Sequence, residues 1–384
     1  MTQASDEAPP YWHYYKTFLT LKHLGHLISI ILLAANACVT GLLLLSAYSP
    51  YVSPVQHAVL SCLGLAFPIF AILNAGFLLL WLCIQQYKSA LLPLVAFLAC
   101  LPQLRDYCPL NFSTDSPPSE SRKILSYNIM GFAKGVKESG ENPVLEYLKE
   151  SGADVLCLQE YHTYAPVTHV TQNDVDRALK AYPYHHIGHV GTGRSNRVAC
   201  YSKLPILSAR ELPTPSAYNG VMMYELKWDN DTVLLLNAHL ESNKLTRSDK
   251  AVYENMLTSP EKETVKSGLR LLIRKLAKAS ALRAPQADSI AQAVAGSRYR
   301  YIVVCGDFND TAISYAHRVI AGQLDDAFSE SGFGLGISYH QNRFLFRIDH
   351  ILTSKSLQPY NCTVDRSVQA SDHYPIWCYL AKKQ

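Results

Sequence analysis

Hydrophobic and polar positions follow two different patterns along this chain. From His23 to Tyr87 there is no Asp, Glu, Lys or Arg. Two apolar runs lie within that stretch, Leu24–Ala47 and Ala58–Ile84, each longer than the ~20 residues that carry a helix across a bilayer. Both are long and uncharged on every face, which favours membrane helices over buried core helices. A third run, Leu91–Leu104, is shorter and carries Pro93 and Pro102; it reads as a third crossing or as an interfacial segment. The first run is too long for a signal peptide, and a second follows at once. "CPLNFSTDSPPSESR" (Cys108–Arg122) is rich in Ser and Pro and reads as a linker. Beyond it, short β-type runs alternate with helical stretches: "KILSYNIM", "DVLCLQEY", "RVACYSKL", "TVLLLNAHL", "YIVVCGDFN", "RIDHILTS" and "PIWCYL". "NPVLEYLKESG" predicts a helix ending at Gly152. Lys266–Ser297 predicts a long basic amphipathic helix, broken near Pro285. The expected organisation is a cytoplasmic tail (1–23), a membrane region of two or three helices (24–104), a linker (105–121) and a layered α/β or α+β domain (122–384), whose strand–helix–strand rhythm hints at two similar halves.

Charge sharpens this picture. The formal net charge is +4, and Lys16, Lys22 and Lys88 against Asp6 and Glu7 put +1 of it before residue 105. The remaining +3 falls short of the strong basic footprint of a dedicated nucleic-acid binder. Lys16 and Lys22 precede the first run and Lys88 follows the second, while the loop "SAYSPYVSPVQH" is uncharged. The N-terminus and Lys88 are therefore expected in the cytoplasm. Three crossings would place everything after Arg105 outside; two would leave it inside. The basic face of the long helix, Lys266, Arg270, Arg274, Lys275, Lys278 and Arg283, reads as solvated, with Leu271, Leu272 and Leu276 packed inward. The ten cysteines form no CxxC pair, which argues against zinc. Cys157, Cys200 and Cys305 sit in strand runs as small hydrophobes, and Cys362 and Cys378 could pair in an external domain.

Candidate chemistry gathers where apolar runs end. Asn128 ends "ILSYN", Glu160 ends "DVLCLQE", and His239 ends "VLLLNAH". Asp307 and Asn309 end "IVVCGDFN", Asp349 sits in "FRIDHIL", and Asp372 with His373 forms "SDH" before "YPIWCYL". Each has a plain alternative: a cap for Asn128, a surface site for Glu160, a core histidine for His239, a turn for "SDH". As a set of carboxylates, amides and imidazoles on strand tips, however, they suit a hard cation, Mg²⁺ or Mn²⁺. No nucleophile elbow or Walker loop occurs, and "GHVGTG" is too weak a glycine pattern to count. His162, His185, His186, His189 and His350 read as surface or packing residues.

The ordered set "SYNI", "LQE", "NAHL", "GDFN", "RIDHIL" and "SDHYP" resembles the endonuclease/exonuclease/phosphatase superfamily, over about residues 122–384. The resemblance implies a four-layer α/β sandwich, two face-to-face mixed β-sheets flanked by helices, and metal-dependent hydrolysis of phosphoester bonds. It implies that Glu160 holds Mg²⁺ with Asn128 in support and Asp372 as a further ligand. It implies that Asp307 aligns or deprotonates the attacking water, that Asn309 holds that water or a phosphate oxygen, and that Asp349 orients His373, which faces the phosphate with His239. Met130 stands where some nucleases of this group carry a second carboxylate, so a strict two-metal arrangement is not expected. The resulting expectation is a membrane-anchored, monomeric phosphodiesterase with an extracytoplasmic domain and no protein partner. Its substrate would be nucleic acid or, alternatively, a lipid headgroup of phosphoinositide or sphingomyelin type; a non-catalytic binding module is the other alternative.

Overall fold

In the computed structural model, residues 11–114, 116–135, 140, 142–164, 169–258, 262–341 and 344–383 are described. The first ten residues of the expected tail lie outside these. The chain divides into two compact units, Met1–Ser46 with Ala66–Cys100, and Ala47–Leu65 with Leu101–Gln384.

The first unit is helical, built on Tyr11–Tyr48, Phe67–Cys83 and Tyr87–Ala99. Its apolar surface is largely exposed, with Leu27, Ile31, Ile72 and Leu79 all more than half exposed. Its polar groups turn inward. Trp81 Nε1 donates to Asn36 Oδ1 (3.0 Å), Thr40 Oγ1 donates to Asn74 Oδ1 (2.9 Å), and Asn74 Nδ2 donates to the Pro93 carbonyl (3.1 Å). Hydrogen bonds of this kind hold helices together where the surroundings offer no hydrophobic driving force.

The second unit contains two six-stranded sheets. One has the order β11-β12-β1-β2-β4-β3, built from β1 (Arg122–Asn128), β2 (Val155–Gln159), β3 (Tyr184–Val190), β4 (Asn196–Ser202), β11 (Leu357–Val364) and β12 (Ile376–Lys382). The other has the order β5-β6-β7-β8-β10-β9, built from β5 (Ile206–Leu212), β6 (Gly220–Trp228), β7 (Asp231–His239), β8 (Tyr301–Asp307), β9 (Leu324–Asp326) and β10 (Asp349–Ser354). Each sheet has one parallel pair at its centre, β1 with β2 and β7 with β8, and is otherwise antiparallel.

Both faces of each sheet are covered, so the central strands read as continuous apolar runs rather than as alternating ones. Ile124, Val155 and Ile376 of one sheet meet Leu235, Val303 and Ile351 of the other in the middle core. The opposite faces pack against helices. Leu125 and Leu156 meet Val144 and Leu148 of helix Pro143–Glu150, and Leu234 and Ile302 meet Ile290 of helix Lys262–Ala295. The result is the four-layer sandwich. The long helix runs unbroken through Pro285, contrary to the expected break. Two segments expected in the membrane region, 47–65 and 101–104, pack with the layered domain instead. The helix Pro54–Ser61 lies against Lys262–Ala295, and Arg318 Nε donates to the Pro50 carbonyl (2.8 Å).

Two details fix the strand tips, one within a sheet and one between the sheets. Gly306 has φ +140°, and a Cβ there would lie 1.8 Å from the Ala238 carbonyl oxygen, so only glycine lets β8 approach β7 at the tip. Beneath the tips, Gln159 Nε2 donates to Asn237 Oδ1 (2.7 Å) across the core and to Ser126 Oγ (3.1 Å), and Asn237 Nδ2 donates to the Ala199 carbonyl (3.0 Å). Gln159 and Asn237 are both fully buried, so losing Gln159 strips Asn237 Oδ1 of its donor, and losing Asn237 removes the cross-core bond and strips the Ala199 carbonyl of a donor. Asn237→Ala should lower unfolding stability by about 1–3 kcal/mol in chemical denaturation. A double-mutant cycle with Gln159→Ala should show strong coupling rather than additivity.

Candidate active site

Side-chain alternation brings the strand tips together. On β8, Tyr301, Val303 and Cys305 face the middle core, so Asp307, two residues on, faces it too. The same parity carries Asn128 from Ile124 on β1, His239 from Leu235 on β7, and Asp349 from Ile351 on β10. His239 and Asp349 are the register partners of Asp307 on its two sides. Glu160 follows Gln159 and would by alternation point away. Its backbone instead takes φ +50°, and its carboxylate reaches Asn128. Asn309 has φ +53°. Left-handed backbone at non-glycine residues is costly and concentrates at functional sites.

Asp307 is the centre of the cluster, with its side chain 1% exposed. Its Oδ2 accepts from Asn128 Nδ2 (3.0 Å) and lies 3.6 Å from both His239 Nε2 and His373 Nε2, while its Oδ1 accepts from the Asn309 amide (2.8 Å). The Met130 amide donates to Asn128 Oδ1 (3.1 Å), which fixes the amide's orientation and leaves Nδ2 to bridge Asp307 and Glu160 Oε1 (3.1 Å). Asn128 therefore aligns two carboxylates with its NH₂, and its oxygen is engaged by backbone. Asn309 Nδ2 is likewise committed, to the Leu240 carbonyl (3.0 Å).

The two histidines have distinct supports. His373 Nδ1 meets Asp349 Oδ2 at 2.8 Å. Burial pushes its imidazolium down, but the Asp349 and Asp307 carboxylates outweigh that and hold it up to about 10. Burial raises Asp307, against the pull of His373 and His239. For His239, the Arg197 amide donates to Asn196 Oδ1 (2.8 Å), so Asn196 Nδ2 donates to His239 Nδ1 (3.1 Å). The proton of neutral His239 then sits on Nε2, facing Asp307 and, at 3.9 Å, Glu160. Asp372 is half-buried; its backbone carbonyl accepts from His340, and its carboxylate bears electrostatically on His373 and Tyr339.

A divalent cation fits this donor set. Asp307 and Asp349 bring carboxylate oxygens within 4.8 Å of one another, and Asp349 Oδ1 is buried without a partner among the described residues, while the protonated His373 beside them offers charge rather than a ligand atom. Glu160, 39% exposed at its side chain, gives the group an open side where waters can remain. A second cluster, His317, Asp326 and His350, is committed to structure: Asp326 pairs with His317 Nε2 (3.0 Å) and Arg347 and caps the helix Ala327–Ser331.

Several working residues escape the sequence patterns. Asn196, on β4, orients His239. Ser371 accepts from the His373 amide (3.2 Å) and donates to the Asn128 carbonyl (2.7 Å), tying "SDH" to β1. Tyr339 lies edge-on to His373 with ring centroids 5.1 Å apart, and Lys250 donates to its hydroxyl. Arg283, expected on a solvated face, is buried and 3.1 Å from Asp310, in the loop after Asp307. It also donates to the Glu241 carbonyl (3.0 Å) and Asn243 Oδ1 (2.9 Å). The rest of that face is solvated at Lys266, Arg270, Arg274 and Lys278. The polar interruptions in "LCLQE" and "LLLNAH" are the signals that could have exposed Gln159 and Asn237.

Arg283→Met should destabilise the chain by about 3–5 kcal/mol in thermal unfolding, since it leaves Asp310 buried and unpaired. In metal-free protein, NMR titration should find His373 still protonated at about pH 8, against about 6.5 for an ordinary histidine. Because the folded value is raised, the charge on His373 stabilises the fold fully below about pH 6.5, and that contribution is lost as the pH rises through about 10. Asp349→Asn should bring the titration down.

The sequence model described as "Endonuclease/Exonuclease/phosphatase family" matches residues 125–373, well over half of the chain, and a second, "Domain of unknown function (DUF8431)", matches residues 29–107. No curated protein matches. Similar solved structures include an endonuclease/exonuclease/phosphatase from Beutenbergia cavernae (16% identity, 68% of this chain and 72% of that one, TM-score 0.47). Others are D. rerio TDP2 complexed with single strand DNA product (15%, 68% and 99%, 0.47) and the human Nocturnin catalytic domain with bound sulfate (15%, 70% and 97%, 0.47). The two mixed sheets, the convergence of their tips on Asp307 and the extent of the family match lead to one conclusion: this chain belongs to the endonuclease/exonuclease/phosphatase family.

Proposed function

We propose that the chain is a membrane-anchored, divalent-metal-dependent phosphoester hydrolase that cleaves a phosphodiester by water attack. The carrying observation is the buried Asp307 carboxylate, ringed by Asn128, His239 and His373 beside the open Glu160. Glu160 is the principal residue that would hold Mg²⁺ or Mn²⁺. Asn128 would align it, and Asp372 would act through water. When bound, such an ion supplies positive charge to a phosphate oxygen. Asp307, raised by burial, is suited to take a proton from the attacking water, and Asn309 positions that carboxylate through its amide. The protonated His373 and the Nε2–H of His239 would stabilise charge gathering on phosphorus.

Anchoring is supported by two stretches long and apolar enough to cross a membrane, His23–Tyr51 and Pro54–Cys83, and by the bent pair Tyr87–Ala99 and Leu101–Tyr107, of which the parts up to Ser46 and from Ala66 to Cys100 lie in the helical unit. Residues 47–65 belong to the same compact unit as everything from Leu101 onward, so the loop after the first crossing and the hydrolase domain share a side. Three crossings satisfy that condition, and with basic Lys16, Lys22 and Lys88 inside, the domain is extracytoplasmic.

Glu160→Gln should lower kcat on a soluble phosphodiester, bis(p-nitrophenyl) phosphate, by about 10²-fold or more with melting unchanged. Chelation should abolish turnover and Mg²⁺ restore it; unaltered activity in the variant would contradict the assigned metal role. A topology reporter fused after Gln384 should read as extracytoplasmic, and a cytoplasmic signal would reduce the crossings to two.

A further inference from the structure

The hydrolase unit carries large apolar side chains in the open. Phe112 is 89% exposed, Leu110 69%, Phe333 61%, Leu345 51% and Leu335 45%. These residues sit on segments that hold one another. Leu110 forms a β-bridge with Phe333, the Asn111 amide donates to the Gly332 carbonyl (3.2 Å), and the Phe112 and Phe333 rings are 6.1 Å apart. Leu335 and Leu345 line one small hollow with Tyr107, Thr311 and Ala312. On the segment 47–65, Val55, Val59 and Leu60 are each more than half exposed.

Two facts identify what covers them. The first is continuity with the apolar helices. The chain passes between the helical unit and the hydrolase unit at 46/47, 65/66 and 100/101, and the exposed apolar residues lie on the segments next to those passages, 47–65 and 101–112, and on the loop 333–345 that contacts them. The second is that the same loops run into the site. The Thr311–Ile313 stretch follows Asp307 and Asn309 directly, and the Ile313 carbonyl abuts Gly64 of the inter-helix segment so closely that a Cβ there would lie 2.0 Å from its oxygen. The loop from Phe333 to Leu345 contains Tyr339, whose ring borders His373 and whose backbone pairs with Phe346.

We infer that Leu110, Phe112, Phe333, Leu335 and Leu345 form a bilayer-contacting rim, and that the phosphoester taken by the site is carried on a lipid lying in that bilayer. The inference rests on the phosphoesterase reading above. An apolar rim of this size gains from burial in the acyl boundary and is a liability in water. It delivers to the metal and histidines a headgroup that never leaves the membrane, which a net charge of only +4 over the whole chain would not do for a nucleic-acid polyanion.

The test uses the full chain in nanodiscs of phosphatidylcholine and phosphatidylinositol, with three substrates in parallel: bilayer phospholipid, bis(p-nitrophenyl) phosphate and single-stranded DNA. The wild type should release headgroup from the bilayer lipid. The triple variant Phe333→Ser, Leu335→Ser, Leu345→Ser should lose about tenfold of that turnover while keeping soluble phosphodiester turnover within about twofold. Separately, a spin label on Phe112→Cys should be relaxed by oxygen and shielded from a water-soluble nickel chelate. Equal loss on both substrates, unchanged lipid turnover, DNA cleavage without lipid cleavage, or a water-exposed label would each overturn the rim. Absence of turnover on all three substrates, with the label shielded, would instead fail the phosphoesterase reading and leave the bilayer contact standing.

Discussion

The structure is organised around one costly act, the burial of the Asp307 carboxylate. An ionised carboxylate removed from water is tolerated only when partners replace its hydration. No single strand can supply those partners. Asn128 comes from β1 of one sheet, His239 from β7 of the other, His373 from the turn before β12, and the Asn309 amide from the loop that Asp307 itself begins. Satisfying one group therefore requires both sheets to end at the same height. The buried Gln159–Asn237 bridge holds them there, and within the second sheet the close approach at Gly306 keeps the tips of β7 and β8 together.

The same requirement explains the electrostatics. Asp307, Asp349 and Glu160 bring three acidic groups to the tips, against one imidazolium at His373 and a histidine at His239 whose tautomer is fixed by Asn196. The cluster is short of positive charge on the side where Glu160 meets solvent, while its histidine side is closed. That asymmetry has a use. The buried side holds the geometry, and the open side is where a cation and a phosphate would complete the charge under the proposed function.

Much of this was legible in the chain because the central strands are buried on both faces and announce themselves as apolar runs. Every one of the seven runs read from the pattern became a strand; four of them end in Asn128, Glu160, His239 and Asp307, which the fold brings together with Asp349 at the start of β10 and His373 before β12. Four of the five strands the pattern missed are the sheet edges, β3, β5, β9 and β11. There, histidines at 185, 186 and 189, a Pro at 359 and half-exposed side chains dilute the apolar signal. The fifth, β6, is central, and its "GVMMYELKW" carries the signal. The roles of Asn196, Ser371 and Arg283 were not legible for a different reason. Each acts through a partner remote in sequence, and a polar residue gives no local sign of which carbonyl or ring it will meet. Arg283 shows this most clearly: helical periodicity put it with its solvated neighbours, and only the tertiary position of Asp310 draws it inward.

Arg283 also shows why the loop after Asp307 joins so many elements. Asp310 takes the guanidinium, the Asp310 carbonyl accepts from His350 Nε2 (2.9 Å), and Ile313 abuts Gly64 of the segment between the first two apolar helices. Arg318, on the helix that follows, reaches back to Pro50 and stacks over Tyr51. A hydrolase tethered by a flexible linker would sample the membrane surface at a concentration set by linker length. Here a piece of the chain between the apolar helices is part of the hydrolase unit itself, packed against the loop that carries Asp307 and Asn309. Substitutions that loosen 47–65 thus act on the loop that begins at Asp307 as well as on the connection to the apolar helices.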